Sequence, residues 1–208
     1  MNLVSLVSSG IDSPVATYVL SSKVDHIILV HADNTPFSDN REQKNYQAVV
    51  KHLQKQCSCK ISSVIVPHGP TLAEIQKKCT SRYSCVLCKR MLVRYAEAVA
   101  RRHQSPGIIM GDSLGQVASQ TLQNLRVVEQ ATTIPILRPL IGYDKEEIIQ
   151  IAREIGTYEL SIAPSSGCGA VPKKPSTKAA LETILQEEEN VDVKMLVDEA
   201  IKKSTQAL

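Results

Sequence analysis

Short apolar runs alternate with longer amphipathic stretches along the chain, and each apolar run stops at glycine, proline or small polar residues. This alternation is typical of buried strands that lead into helices. Strands that alternate with helices form a parallel sheet with helices on both faces. The sequence therefore predicts an α/β fold with a doubly wound, five-stranded parallel sheet. The predicted strands cover residues 3–7, 26–31, 61–66, 107–110 and 134–137.

Helices are predicted between and after these strands. Pro14 suits the first turn of the first helix, and Asp39 and Glu42 have capping-box spacing at the start of the second, which is predicted to end at Gln56. A third, short helix is predicted to begin near Thr71. The others are predicted over residues 86–103, 114–125, 144–156, 177–188 and 192–203, with a loop over 161–176. We expect a single domain over residues 1–208, in which residues 176–208 form a C-terminal helical tail.

The composition restricts the class of protein. Apolar residues make up 43% of the chain, but it has one Phe and no Trp, so the core must be aliphatic, as in a parallel sheet covered by helices. No segment approaches the roughly 20 apolar residues that a membrane span needs, and no basic region precedes the first apolar run, as it would in a signal peptide. We expect a soluble, cytoplasmic protein without a membrane partner. Its six cysteines then indicate metal or redox chemistry rather than disulfides.

The charge pattern leaves two interpretations open. A net charge of +3 says little about partners, but basic residues cluster within residues 89–102 and again at Lys173, Lys174 and Lys178. A solvated helix face with a mobile loop explains these clusters, and so does a surface that binds phosphates.

Residues 8–13, SSGIDS, lie between the first predicted strand and its helix. A strand that turns tightly into a helix exposes backbone N–H groups, and the helix dipole makes that turn a site for phosphate. Gly10 lets the backbone approach an anion closely, while Ser8 and Ser13 can donate hydroxyl hydrogen bonds. Asp12 suits a phosphate that is bridged by Mg²⁺. The alternative is an ordinary glycine–serine turn.

Residues 8–16, SSGIDSPVA, resemble the SGGxDS motif of the PP-loop ATP pyrophosphatases, in the same place after the first strand. Further segments, collinear over nearly the whole chain, are similar to the catalytic domain of the ThiI family of tRNA 4-thiouridine synthetases. These segments are LCKRMLVRYAEAVA, IIMGDSLGQVASQTLQNLRVV, ILRPLIGYDKEEIIQIAREIGTYELS and CGAVPKKPSTKA. The resemblance implies the PP-loop (HUP-like) adenine nucleotide α-hydrolase fold. It also implies that ATP is attacked at its α-phosphate and that pyrophosphate leaves.

The resemblance further implies which residues bind ATP. Asp12 would hold Mg²⁺ and pyrophosphate together with the other loop residues. Lys145 would be needed for activity, since a lysine at a helix start can neutralise charge on the phosphates; without the resemblance it is a surface lysine. The other nucleotide-binding positions implied are Leu6, Val7, Ser8, Gly10, Ser13, His31, Ala32, Lys89, Gly111 and Gln120.

One position departs from the family pattern, because Ser9 stands where the motif usually has its second glycine. If the backbone has a positive φ at this position, serine costs about 1 kcal/mol relative to glycine. Such a cost would weaken ATP binding without abolishing the fold.

The cysteines are the second chemical signal. Cys85 and Cys88 form a C-x-x-C at the start of a predicted helix, with a spacing that lets both thiols bind one metal ion or cluster. The helix dipole, Lys89 and Arg90 are expected to lower the pKa of both thiols. A buried structural pair is the alternative. Cys168 lies in a flexible, glycine-flanked loop, which favours reactivity over packing.

The resemblance implies that Cys168 handles the transferred sulfur. The sequence contains the C-x-x-C but no rhodanese domain, and in this it is similar to archaeal members, whose two helix cysteines and loop cysteine are proposed to bind an iron–sulfur cluster. The hypothesis is that Cys85, Cys88 and Cys168 hold a cluster with one open iron. The alternative is a closed, structural zinc site with Cys79 as the fourth ligand.

The resemblance thus predicts a tRNA sulfurtransferase that adenylates O4 of a uridine, at position 8 of tRNA, and replaces this oxygen with sulfur to give 4-thiouridine. Sulfide or a persulfide carrier would donate the sulfur. The family's ferredoxin-like and THUMP regions, which dock tRNA, are not in this sequence, so a separate THUMP protein is a candidate partner, as is a second copy in a homodimer. The alternatives are a PP-loop ligase or thiolase acting on a small molecule and a non-catalytic subunit that binds ATP and a cluster.

Overall fold

The computed structural model describes residues 1–206, and its centre is a six-stranded sheet in the order β5-β4-β1-β2-β3-β6. The strands are β1 (Asn2–Leu6), β2 (His26–Asp33), β3 (Lys60–Pro67), β4 (Ile108–Ile109), β5 (Ile136–Leu137) and β6 (Thr205–Gln206). Strands β1 to β5 run parallel, whereas β6 pairs antiparallel with β3. The doubly wound α/β fold is confirmed. The prediction of a purely parallel, five-stranded sheet is wrong at one edge, because the chain turns back after its last helix and pairs with β3.

Helices cover both faces of this sheet. They are α1 (Asp12–Ser21), α2 (Asn40–Gln56), α3 (Gly69–Lys78), α4 (Ser84–Arg102), α5 (Leu122–Glu129), α6 (Lys145–Glu154), α7 (Tyr158–Ser161), α8 (Leu181–Glu188) and α9 (Val193–Lys202). Within residues 1–206, no helix has the length and the apolar composition that would let it cross a membrane.

Two helices begin later than the sequence predicts. Residues 114–121 form a turn and a short 3₁₀ helix (Ala118–Gln120) rather than the start of α5. Gly115 adopts a positive φ of 77°, and Thr121 caps α5 by accepting from the N–H of Asn124. The Asn124 side chain in turn binds the carbonyl oxygen of Ser176 and the N–H of Ala179, at 2.8 and 2.9 Å. These bonds hold the segment before α8 in an irregular conformation.

Alternate residues of the strands point to opposite faces of the sheet. Val4, Ile28 and Val30 belong to a core shared with α4, α5 and α9. Leu3, Ile27 and Leu29 belong to a second core, shared with α1, α2 and α6. The near-continuous apolar character of β1 and β2 follows from this burial on both faces.

The topology places a crevice at the carboxyl end of β1. The chain builds β1, β2 and β3 towards one side and then crosses to β4 and β5 on the other side of β1. The connections after β1 and β4 therefore leave the sheet in opposite directions, and ligands of open α/β sheets bind at such a switch point.

A buried ion pair joins α4 to α8. Arg90 Nε and Nη2 donate to the two carboxylate oxygens of Glu188 at 2.8 and 2.9 Å, and Arg94 donates to the same oxygens at 2.6 and 2.8 Å. Burial alone would raise the pKa of Glu188, but the bonds from both arginines outweigh it and lower the pKa. These two arginines of the first basic cluster therefore face Glu188, and they do not form part of a phosphate-binding surface.

We predict that Glu188→Gln destabilises the fold by about 3–5 kcal/mol, because it leaves two guanidinium groups without a countercharge in a buried setting. Urea unfolding at pH 7 measures this loss. The Glu188 pKa lies below its ordinary value of 4.5, so the stabilisation is present above that pH and is lost as the pH falls further. The difference between wild type and variant should accordingly narrow in acid.

The matched control is Glu199→Gln, since Glu199 forms an exposed pair with Lys203 four residues away on α9. We expect a loss below about 1 kcal/mol for this surface pair. Equal losses in the two variants would contradict the structural role assigned to Glu188.

Candidate active site

A cavity of about 330 Å³ opens at the carboxyl ends of β1, β2 and β4, within the size range of small-molecule sites. Its walls come from the loop after β1, the end of β2, helix α4 and the segment after β4. All the nucleotide-binding positions implied by the resemblance line this one cavity, and Asp12 and Cys88 line it too. These positions are Leu6, Val7, Ser8, Gly10, Ser13, His31, Ala32, Lys89, Gly111 and Gln120.

The loop after β1 presents the start of α1 to the cavity. The Ser8 N–H donates to Ser13 Oγ at 2.9 Å, and the Gly10 N–H donates to Ser8 Oγ at 3.2 Å, so the loop is closed by its own hydroxyl groups. Ile11, at the N-cap of α1, makes no side-chain capping bond. Since no N-cap side chain covers the first N–H groups of α1, the turn has the properties of an anion site.

Ser9 connects this loop to α2. Its Oγ donates to Glu42 Oε1 at 2.7 Å, and Glu42 itself lines the cavity. Within residues 1–206, only Gln104 among the non-glycine residues has a positive φ, so the strain considered for serine at position 9 does not arise. The sequence does not indicate the hydrogen bond between Ser9 and Glu42, because the two residues lie 33 positions apart.

Gly111 brings the turn after β4 against the loop. A Cβ at this position would lie 2.7 Å from Ser13 Cα and 2.9 Å from the carbonyl carbon of Asp12. Such distances are shorter than any normal contact and involve backbone, so only glycine fits. The crevice between β1 and β4 is therefore narrow where the loop turns into α1.

Two lysines are held by carboxylates at the cavity. Lys145, the first residue of α6, donates to Asp12 at 2.5 Å, and Lys89 donates to Asp112 at 2.6 Å. Arg138 lies on the other oxygen of Asp112 at 3.4 Å. Asp112 is not among the predicted site residues, although a carboxylate just after a predicted strand indicates a position at the carboxyl edge of the sheet. The site thus places cations and carboxylates where phosphates and a divalent metal would need them.

Acceptor atoms mark another part of the cavity. His31 is buried and stacks on Tyr46 with ring centroids 3.8 Å apart, and burial lowers the pKa of His31, so the ring is neutral. Its Nδ1 lies 3.0 Å from the Val7 carbonyl oxygen, which makes Nδ1 the donor and Nε2 an acceptor. The Gln120 Oε1 is a second acceptor, buried without a hydrogen-bond partner within residues 1–206.

The cysteine pair lies in the first turns of α4, and Cys88 also lines the cavity. The pKa of Cys88 is raised to about 12, chiefly by burial and to a lesser extent by negative charge on Cys168 and Cys85. Burial and the charge of Cys168 also raise the pKa of Cys85. The prediction of lowered thiol pKa values is therefore wrong. Lys89 acts in the predicted direction but is outweighed, and Arg90 points away to Glu188.

The charge of Cys168 contributes to the raised pKa values of both Cys85 and Cys88, so the loop cysteine belongs to the surroundings of the pair. No three His, Cys, Asp or Glu side chains of residues 1–206 are grouped closely enough to hold a single metal ion. Cys79, the fourth ligand of the zinc alternative, instead donates its thiol to the carbonyl oxygen of Glu187 at 3.4 Å. The closed zinc site is therefore not formed.

The loop that carries Cys168 is irregular as predicted, but it is tethered at two points. Ser166 Oγ accepts from the Asp39 N–H at 3.1 Å, and the Gly169 N–H donates to the carbonyl oxygen of Phe37 at 2.7 Å. Both bonds lead to the segment before α2, so the loop around Cys168 is fixed on either side of the thiol. The predicted capping box of α2 is half formed for the same reason, since the Asp39 N–H is bonded to Ser166.

The family model described as "Thiamine biosynthesis protein (ThiI)" matches residues 1–193 of this chain. Proteins named probable tRNA sulfurtransferase from Methanosarcina mazei and Methanothermobacter thermautotrophicus are both 39% identical to it, over 96% and 98% of this chain. The protein of that name from Thermus thermophilus is 40% identical over 97% of this chain. The chain spans about half the length of these relatives, namely 50%, 52% and 50%.

Solved structures agree with this family. A 4-thiouridine synthetase, crystallised in complex with RNA and with bound ATP, has a TM-score of 0.94 and 33% identity to this chain, covering 99% of this chain and 54% of its own. The NMN synthetase from Francisella tularensis has a TM-score of 0.54 at 14% identity, covering 100% of this chain and 87% of its own, which shows a shared fold alone. The family model, the relatives and the fold all lead to one conclusion: this chain belongs to the ThiI family.

Proposed function

We propose that this chain is the ATP-dependent catalytic domain of a tRNA sulfurtransferase, which adenylates O4 of a uridine at position 8 of tRNA and replaces that oxygen with sulfur. The observation that carries the proposal is the assembly of a phosphate loop, Lys89 and a cysteine of the C-x-x-C around one cavity of a ThiI-family fold, with Lys145 bonded to Asp12 of that cavity. The similar synthetase that was crystallised with RNA and ATP supports both proposed substrates.

ATP would lie with its phosphates at the start of α1. The N–H groups of the loop, the hydroxyl groups of Ser8 and Ser13, and the α1 dipole all favour negative charge there. Asp12 is suited to hold Mg²⁺, because a carboxylate beside phosphates needs an intervening cation; the ion would neutralise phosphate oxygens. The adenine amino group has two acceptors available, His31 Nε2 and Gln120 Oε1.

The reaction would proceed in two displacements. The uridine O4 attacks the α-phosphorus of ATP, the bond to the pyrophosphate oxygen breaks, and an adenylated base is formed. Lys145 and Lys89 stabilise the negative charge that develops on the phosphates. Sulfide presented beside Cys168 then attacks C4, the bond from C4 to the adenylated oxygen breaks, and AMP leaves with the original oxygen. The base must be unstacked to reach the cavity, as for other enzymes that modify bases.

Cys85, Cys88 and Cys168 are the residues that would hold an iron–sulfur cluster. Cys85 and Cys88 lie in the first turns of α4, and burial together with the charge of Cys168 raises the pKa of both. Thiols with raised pKa values stay protonated unless they coordinate a cation, which deprotonates them. When bound, such a cluster would supply an open iron at which sulfide can be held.

The partners follow from this chemistry. The sulfur donor would be sulfide or a persulfide carrier, and the tRNA would be docked by a THUMP protein or by a second copy of the chain in a homodimer. We propose the cytoplasm as the place of action because tRNA and ATP meet there.

The first prediction of this proposal concerns the product. Anaerobically purified, iron-reconstituted protein should convert unmodified tRNA to tRNA containing 4-thiouridine in the presence of Mg-ATP and sulfide. Cys168→Ala should abolish this product, since the sulfur-handling thiol is lost. Nucleoside mass spectrometry of the digested tRNA measures it.

Cys79→Ala is the matched control, because its thiol is bonded to Glu187 rather than to the site, and it should retain the product. If wild type forms none even with a THUMP protein added, while it splits ATP to AMP with a small molecule, the tRNA proposal is wrong and a small-molecule ligase is favoured. ATP that is bound but never split would instead favour a non-catalytic subunit.

A second prediction concerns Lys145. Lys145→Gln should reduce the rate of pyrophosphate release by about a hundred-fold, as for other lost charge-stabilising groups, while ATP still binds. Radiolabelled pyrophosphate measures the rate and calorimetry measures ATP binding. An unchanged rate would show that Lys145 only pairs with Asp12.

A third prediction concerns Gly111. Gly111→Ala should weaken ATP binding roughly ten-fold or more, because the new methyl group displaces the loop at an overpacking cost of about 1–3 kcal/mol. Calorimetric titration with Mg-ATP measures the change. Gly142→Ala is the matched control, since a Cβ at Gly142 meets nothing within 4 Å. Equal affinities for the two variants would contradict the close approach seen at Gly111.

A further inference from the structure

A buried row of polar side chains ends on one sulfur of the cysteine pair. Thr71 Oγ1 lies 2.8 Å from Tyr95 Oη, Tyr95 Oη lies 3.2 Å from His68 Nδ1, and His68 Nε2 lies 3.2 Å from Cys88 Sγ. His68, Tyr95 and Thr71 are 0%, 0% and 1% exposed. Since buried polar groups that are fully hydrogen-bonded are held in one arrangement, this row fixes the orientation of the His68 ring.

The imidazole ring contacts the sulfur from outside the cavity. Cys88 lines the cavity, whereas His68 does not and has no solvent exposure. It therefore suits a partner of the sulfur better than a ligand of a group bound in the cavity.

The hydrogen-bond directions follow once Cys88 coordinates a metal. The sulfur is then a thiolate and can only accept, so Nε2 must carry the hydrogen. The buried ring is neutral, which leaves Nδ1 as an acceptor for the hydroxyl of Tyr95. Tyr95 Oη in turn accepts from Thr71. Each donor has one acceptor, and all the dipoles point towards Cys88.

We propose that His68 is a positioning residue of the sulfur site, whose Nε2–H donates to the Cys88 sulfur and whose tautomer is set by Tyr95 and Thr71. A hydrogen bond to a ligand sulfur fixes its direction, strengthens metal binding and raises the reduction potential of a cluster. The cluster part of this inference rests on the proposed function, whereas the donor role of His68 requires only that a bound metal ion deprotonates Cys88.

The first test uses cadmium as a thiophilic, diamagnetic ion that deprotonates the thiols on binding. Two-bond ¹H–¹⁵N NMR spectra of the cadmium-loaded, histidine-labelled protein should show His68 with a protonated Nε2. The signal is assigned by its loss in His68→Gln. Cadmium affinity should fall roughly ten- to hundred-fold in His68→Leu, as for other lost partners of metal ligands. His68→Gln, whose amide N–H can replace Nε2–H, should recover part of it.

The second test uses the iron-reconstituted protein. His68→Leu should shift the cluster's reduction potential to a more negative value, and Tyr95→Phe should shift it in the same direction by a smaller amount. Tyr46→Phe is the matched control, because it removes another buried tyrosine hydroxyl, bonded only to Ser63, and should leave the potential unchanged. If His68→Leu fails to fold, the reduction potential of Tyr95→Phe and the NMR spectrum of the cadmium form decide whether His68 donates to the Cys88 sulfur.

The outcomes separate this inference from the proposed function. A protonated Nδ1, which would turn the Nε2 lone pair to the sulfur or the metal, overturns the donor role of His68. The donor role is also overturned if wild type makes 4-thiouridine but His68→Leu and Tyr95→Phe leave the reduction potential of its cluster unchanged. If wild type assembles no cluster, the cluster part of the proposed function fails, and the NMR spectrum of the cadmium form still decides the role of His68.

Discussion

The guanidinium group of Arg90 and the carboxylate of Glu188 form a buried ion pair that sets the rotation of α4 about its axis. Successive residues of a helix are rotated by about 100°. Because Arg90 points into the core, its neighbour Lys89 is directed to Asp112 and Cys88 to the cavity wall. Arg90 also donates to the Val127 carbonyl oxygen of α5. One helix with a fixed rotation thus supplies both a cation at the cavity and the two cysteines that are proposed as cluster ligands.

The meeting of the predicted residues at one cavity could be expected from the sequence, because parallel strands bring their carboxyl ends to one edge of the sheet. His31 and Gly111 each come at or directly after an apolar run, and the loop at Ser8 follows β1. The sequence pattern alone therefore indicates that they meet. Glu188 gives no such signal. It lies 98 positions from Arg90 in a helix rich in acidic residues, where a carboxylate is expected to be solvated. The two-residue strand β6 is too short for any pattern to mark it.

The errors in the sequence analysis share a physical cause. Lys89 is a local effect that lowers the pKa of Cys88 as predicted, but burial and the charge of Cys168 come from elsewhere in the fold and are larger. Ser9 was compared with the glycine of the motif, although its Oγ has a distant partner in Glu42. In both cases the prediction used only neighbours in the sequence. Residues that are distant in the sequence but close in the fold have the larger effect on the thiol pKa and on the Ser9 side chain.

Charged residues connect the part of the cavity proposed for the phosphates with the sulfur of Cys88. Lys145 and Lys89 are each bonded to a carboxylate, so both are ordered and neutralised near the place proposed for the phosphates. Arriving phosphates would compete with Asp12 and Asp112 for these lysines, and a divalent cation on Asp12 removes the repulsion between carboxylate and phosphate. Lys89 also opposes the raised pKa of Cys88, the residue just before it. In the proposed mechanism, a movement of Lys89 towards ATP would therefore change the electric field at the Cys88 sulfur, and adjacent residues of α4 would couple nucleotide binding to sulfur chemistry.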